Sequence, residues 1–108
     1  MKIINKESNV LKDEFYMEAM FPEAFDGKNM DASLNYVEIA GKTTVPVEGY
    51  SIHEHDELSY IVEGELEVEI DGQIQAVKKG DFTFIPKGEA HQSTNISKDK
   101  CKIVSLLI

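Results

Sequence analysis

Between Glu65 and Ile70 the chain alternates without a break: Leu66, Val68 and Ile70 fall on one side, Glu65, Glu67 and Glu69 on the other. Successive side chains of an extended chain point to opposite faces, so this run predicts a strand with one buried and one wet face. Asp71-Gly72 follows, a pair whose tolerance of positive φ makes it a strong short-range hairpin signal, and Gln73 to Val77 is then the return strand. Lys79-Gly80-Asp81 marks another turn, Phe82 to Ile85 another strand, Pro86-Lys87-Gly88 another turn, and Cys101 to Ile108 an apolar closing strand. Upstream, Asn35 to Ile39 alternates, Thr43 to Val47 is β-branched with Pro46 at a strand end, and Leu58 to Val62 runs into Gly64. About eight short strands at regular spacing predict an all-β barrel or sandwich.

The first third reads differently. Residues 1–33 carry Phe15, Tyr16, Phe21 and Phe25 among four methionines. Asn9 can cap a short helix over Asn9 to Met20, with Leu11, Phe15 and Tyr16 near helical spacing and Pro22 ending it. This mixed N-terminal arm is expected to cover a sheet edge or a partner subunit; the other reading is a lid that turns an aromatic toward a ligand.

Composition narrows the class. A chain of 108 residues with 42% hydrophobic and 29% charged residues suits one globular domain. Eleven Lys and Arg against twenty Asp and Glu give a net charge of −9, which repels phosphate backbones and anionic lipid, so no nucleic acid and no membrane surface is expected as a partner. No apolar run reaches the roughly 20 residues of a membrane span, and the N-terminus lacks the apolar stretch of a signal peptide. A soluble cytoplasmic protein is the expectation, and the single Cys101 agrees with a reducing compartment.

All three histidines lie beside turns: His53 and His55 in the pentapeptide His53-Glu54-His55-Asp56-Glu57, and His91 after Gly88. If the chain is extended there, Ser51, His53, His55 and Glu57 share one face. Imidazole and carboxylate gathered inside a small barrel suit a divalent transition metal, whereas the same residues on a surface turn need no function. The ladder of Glu65, Glu67 and Glu69 reads as a solvated outer face rather than a cation site. Phe82 and Phe84 read as core packing, with ligand stacking as the alternative. Leu58, Tyr60 and Val62 lie opposite Glu57 and ask for a cover, either residues 1–33 or a second subunit, so a homodimer is expected. Cys101 has no histidine near it in sequence and reads as a small buried hydrophobe.

The run Gly80, five residues, Pro86, one residue, Gly88, two residues, His91, three residues, Asn95 resembles the second signature of the cupin superfamily at every fixed position. That family's first signature is Gly, five residues, His-x-His, three or four residues, Glu, six residues, Gly. Glu57, six residues and Gly64 fit its second half. Its first half departs: counting back from Glu57 places His53 at the second histidine, Ser51 at the first, and Val45 at the glycine. A rival register takes His53 and His55 as the pair, leaving only Asp56 before Glu57. The two parts belong on adjacent antiparallel strands and a hairpin needs about two loop residues, which favours the first register. Over roughly residues 34 to 108 the resemblance implies a small single-domain cupin of the cupin 2 conserved-barrel type: a double-stranded β-helix, or jelly-roll barrel, frequently dimeric, with metal inside.

On that reading His53, Glu57 and His91 would hold one divalent metal, Fe, Mn, Ni or Zn, with His55 near the mouth as a fourth candidate ligand and a small organic molecule bound beside it. Dioxygenase or isomerase chemistry is the enzymatic form of this reading. A non-catalytic small-molecule binding or accessory cupin without metal, similar to ethanolamine-utilisation accessory proteins, is the alternative; a third is a dimer whose barrel is filled by side chains.

Overall fold

The computed structural model describes residues 1–108, and its hairpin at Asp71-Gly72 shows how local chemistry sets the register. Both residues take positive φ, 51° and 75°. They close β5 (Glu65–Ile70) on β6 (Gln73–Lys78), with Ile70 opposite Gln73 and Leu66 opposite Val77. The other elements are β1 (Phe15–Met20), α1 (Pro22–Asp26), β2 (Ser33–Ile39), β3 (Thr43–Val45), β4 (Glu57–Glu63), β7 (Phe82–Ile85), β8 (Gln92–Asn95) and β9 (Cys101–Leu107). They form two antiparallel sheets, one in the order β1-β2-β9-β4-β7 and one in the order β3-β8-β5-β6. This is the all-β double-stranded β-helix. No helix is long and apolar enough to cross a membrane.

Between the sheets Val37, Ile39, Ile61, Leu66, Cys101 and Ile103 form the buried apolar cluster. Gly64 lets the turn between β4 and β5 press on this core: a Cβ there would meet the Cα of Cys101 at 3.0 Å, and its φ of +89° disfavours any side chain. Pro46 has no N–H for a ladder, and β3 stops at Val45, two residues short of the expected strand.

The expected helix over Asn9 to Met20 does not form. Phe15 to Met20 is instead β1, paired residue for residue with β2 from Phe15 opposite Ile39 to Met20 opposite Leu34. A helix of that length is marginal alone, whereas an edge strand gains ladder hydrogen bonds and buries alternate side chains. Pro22 begins a helix rather than ending one, as the first residue of α1, where its missing N–H costs nothing.

Residues ahead of β1 lie on the outer face of the five-stranded sheet. Lys6 reaches the Tyr16 hydroxyl and Glu18, both at 2.9 Å, and Lys100 donates to the Asn9 carbonyl at 2.9 Å. Beneath them the Tyr36 hydroxyl donates to Glu38, which also pairs with Lys100 at 3.1 Å.

The two sheets differ on their outer faces. Across the five-stranded sheet, cross-strand pairing aligns Met20, Leu34, Leu106, Leu58 and Phe84 in one row, and Tyr36, Val104, Tyr60 and Phe82 in the next. Across the four-stranded sheet it aligns Thr44, Thr94, Glu67 and Ala76, then Gln92, Glu69 and Ile74. Glu65, Glu67 and Glu69 thus belong to a polar outer face, as their alternation predicts. A bulge between Ile61 and Glu63 takes Val62 out of the pairing with β9.

Candidate metal centre

Three stretches far apart in sequence are stitched together at one end of the barrel by backbone hydrogen bonds. Ser51 and His91 exchange both of theirs, at 2.8 and 3.0 Å. The Gly88 amide donates to the His53 carbonyl at 2.9 Å, and Asp56 and Ile108 exchange a pair at 2.8 and 3.1 Å. The Asp56 carboxylate also accepts from the Lys87 amide. The segment between β3 and β4 is therefore held against the chain that enters β8, and β4 starts with Glu57 facing inward.

This arrangement brings His53, Glu57 and His91 together, with their ligating atoms all within 4.8 Å of one another. Oxygen and nitrogen ligands of one ion sit about 2.0–2.2 Å from it and hence up to about 4.3 Å apart, so small side-chain rotations close the set. His53 Nε2 and Glu57 Oε1 are 3.6 Å apart, too far for a hydrogen bond but a fitting edge for a coordination polyhedron. The two imidazole rings lie 5.0 Å apart, centre to centre. His91 is buried and its Nδ1 lies 3.2 Å from the Glu89 carbonyl oxygen. A carbonyl only accepts, so Nδ1 carries the proton and Nε2 keeps its lone pair for the cluster. Two imidazoles and one carboxylate, with room for further ligands, fit a divalent transition metal.

His55 is not brought to this cluster. The chain turns over residues 54–56 instead of running extended, so the expected shared face of Ser51, His53, His55 and Glu57 is broken at His55. Its Nε2 sits 2.9 Å from the exposed Asp31 carboxylate. That turn also agrees with the first register: His53 precedes the loop, Glu57 follows it, and Ser51 stands beside His91.

The cluster opens into a cavity of about 130 Å³. Ser51, Ser59, Ser93 and Ser105 supply hydroxyls to its wall, and the Ser59 hydroxyl lies 3.1 Å from that of Ser105. Phe15 and Met17 of β1 complete the wall on the apolar side. Sequence reasoning missed Met17, Ser93 and Ser105. The signal was there in part: Phe15 and Met17 are two apart, and Ser93 is two residues from His91.

Phe82 and Phe84 belong neither to the core nor to the wall of this cavity. They stand 81% and 60% exposed on the outer sheet face, because Thr83 and Ile85 take the inward positions of β7. Cys101 is fully buried in the core, and burial pushes its thiol up to about 12, which leaves no thiolate for nucleophilic chemistry.

Two facing antiparallel sheets with inward His53, Glu57 and His91 at one end describe a cupin barrel with a possible metal-binding triad. The chain belongs to the cupin family: the family model for the cupin domain matches residues 35–107. It is 28% identical over 113 residues to an uncharacterized protein of Methanocaldococcus jannaschii, MJ1618, covering 96% of this chain and 85% of that one. Among solved structures it is similar to a protein of Thermotoga maritima described as a predicted oxalate decarboxylase, with a TM-score of 0.72 and 26% identity over 90% of this chain and 82% of that chain. The EutQ protein of Clostridium difficile superposes with a TM-score of 0.68 at 22% identity, over 86% of this chain. The match spans 66% of EutQ, so about a third of that protein lies beyond it.

Proposed function

We propose that this cupin holds one divalent transition metal, Fe, Mn, Ni or Zn, through His53, Glu57 and His91, and binds a small organic molecule in the cavity beside it. The convergence of those three donors within 4.8 Å inside one cavity carries the reading. When bound, such a metal polarises a carbonyl or carboxylate or activates dioxygen, which are isomerase and dioxygenase chemistries. The Glu89 carbonyl holds the His91 tautomer, the serine hydroxyls offer hydrogen bonds to an oxygen-bearing ligand, and Phe15 and Met17 limit water at the apolar wall. His55, tied to Asp31, is left out of the ligand set. We place the protein in the cytoplasm on its charge of −9 and its single buried thiol.

Elemental analysis of untagged protein tests the reading. We expect near-stoichiometric metal in the native chain and loss of it after dialysis in His91→Ala; full occupancy in that variant would show the assigned cage to be wrong.

A second reading rests on Ser51, which stands beside His91 where the family signature carries its first histidine. With one ligand fewer, the barrel would serve as a non-catalytic binding or accessory module whose serines hold the ligand. A thermal-shift screen with small carboxylates, sugars and amines on metal-free protein separates the two, since a ligand that prefers the native state raises Tm.

A further inference from the structure

The cavity beside His53, Glu57 and His91 holds few charges. All eleven cationic residues of the chain are lysines, and none of them lines the cavity. Glu57 is its only carboxylate, and an imidazole that ligates a metal is neutral. A divalent ion held there is left with one net positive charge, which a single anionic group on a ligand cancels. A second anionic group inside the cavity would lose its hydration and meet no counter-charge. We propose that the ligand is a short α-oxo or α-hydroxy monocarboxylic acid, its carboxylate and adjacent oxygen toward the cluster and the serine hydroxyls, its alkyl end on Phe15 and Met17. This substrate class rests on the metal reading given above.

The rest of the wall narrows the class further. Ser59 donates to Ser105 at 3.1 Å, whereas the hydroxyls of Ser51, Ser93 and Ser105 donate to no protein acceptor. Such uncharged donors suit the oxygens of a carboxylate and of a neighbouring carbonyl or hydroxyl. Three protein ligands also leave a divalent transition metal open positions for ligand oxygens. Phe15 and Met17 form the apolar side and are still 41% and 46% exposed, so an alkyl end laid against them buries surface that the chain itself leaves open. At about 130 Å³ the cavity is close to the roughly 150 Å³ of an apolar cavity that holds one benzene ring, which sets the scale of the ligand. Free sugars carry hydroxyls on every side and offer that wall no alkyl end. Phosphorylated and dicarboxylic molecules bring a further charge that no lysine of the cavity meets.

Isothermal titration calorimetry of the metal-loaded full chain tests the proposal with three acids that share one head group, so that the intrinsic affinity of that head for the ion cancels. α-Ketobutyrate ends in an ethyl group, α-ketohexanoate in a butyl group, and α-ketoglutarate in a second carboxylate. The two alkyl acids should each bind at least ~10-fold more tightly than α-ketoglutarate, which loses the apolar contact and adds an unmet charge. Met17→Lys places a cation at the apolar wall and should invert that order. Met17→Ala should narrow the gap, and serves if the lysine variant does not fold. Ser93→Ala should weaken all three acids alike, since it removes a donor to the shared head. Metal-loaded protein that binds α-ketoglutarate as tightly as the alkyl acids, or binds none of the three, overturns the proposal and leaves the metal reading standing, as does an order of affinities that neither Met17 variant moves. Protein that takes up no metal overturns both.

Discussion

The inward faces of β4 and β9 change character along their length. From Glu57 through Ser59 to Ile61, β4 passes from carboxylate to hydroxyl to aliphatic; from Leu107 and Ser105 to Ile103 and Cys101, β9 passes from the cavity wall to the sealed core. The two strands are paired without a break from Glu57 to Ile61, Ser59 against Ser105 and Ile61 against Ile103. One end of the barrel is closed by apolar packing, and the other leaves imidazoles, a carboxylate and hydroxyls around open space. The closed end carries the stability that lets the open end hold polar groups poorly satisfied by the protein itself. Two carboxylates of these sheets make the same point. Glu38, outside the barrel, is bonded by Tyr36 and Lys100, whereas Glu57, inside it, has only His53 at 3.6 Å.

The largest expected effect comes from the closed end. Ile61→Ala removes a fully buried side chain from the cluster of Val37, Leu66 and Ile103 and should cost about 3 kcal/mol, read from urea unfolding. A loss below about 1 kcal/mol would mean that the core has room to collapse and that the contrast between the two ends is overstated.

Glu57→Gln probes the open end. It should lower metal affinity at least ~100-fold while moving the stability of the metal-free protein by no more than about 0.5 kcal/mol, because Glu57 has no hydrogen-bond partner to lose. Competition with a chelator gives the first number and urea unfolding of the stripped protein the second. A large stability loss without change in metal affinity would make Glu57 a structural residue like Glu38.

Much of this division was legible in the residues. Strict alternation over Glu65 to Ile70 and the Asp71-Gly72 pair are local signals, and both elements form where expected. The spacing from Gly80 to Asn95 and from Glu57 to Gly64 pointed to the family and to three residues that do converge. What was missed depended on distant partners. The stretch from Phe15 to Phe21 is apolar at nearly every position, so its period is unreadable until pairing with β2 selects the strand. Phe82 and Phe84 were placed on one face correctly, but parity alone does not say which face is inside. His55 lies in the turn that the favoured register requires, but its ring goes to Asp31, a partner 24 residues away that local spacing does not reveal.

The smallest effect separates the two carboxylates by acid. Burial pushes Glu38 toward protonation, but hydrogen bonds from Tyr36 and Lys100 outweigh it and hold the carboxyl below the ordinary value of 4.5. A carboxyl with a lowered folded value adds stability above its unfolded value, and that stability drains away as pH falls through the folded one. Native protein should therefore lose stability progressively below about pH 4.5. Glu38→Gln should flatten that acid slope without abolishing it, since Tyr16 and Lys6 hold Glu18 low, and Lys2 holds Glu23 low, in the same direction. Urea midpoints between pH 3 and pH 7, a range chosen to bracket ordinary carboxyl values near ~4, give the comparison. An unchanged slope in Glu38→Gln would show that the carboxylate beneath the arm contributes nothing to acid sensitivity, and the distinction drawn between it and Glu57 would then rest on position alone.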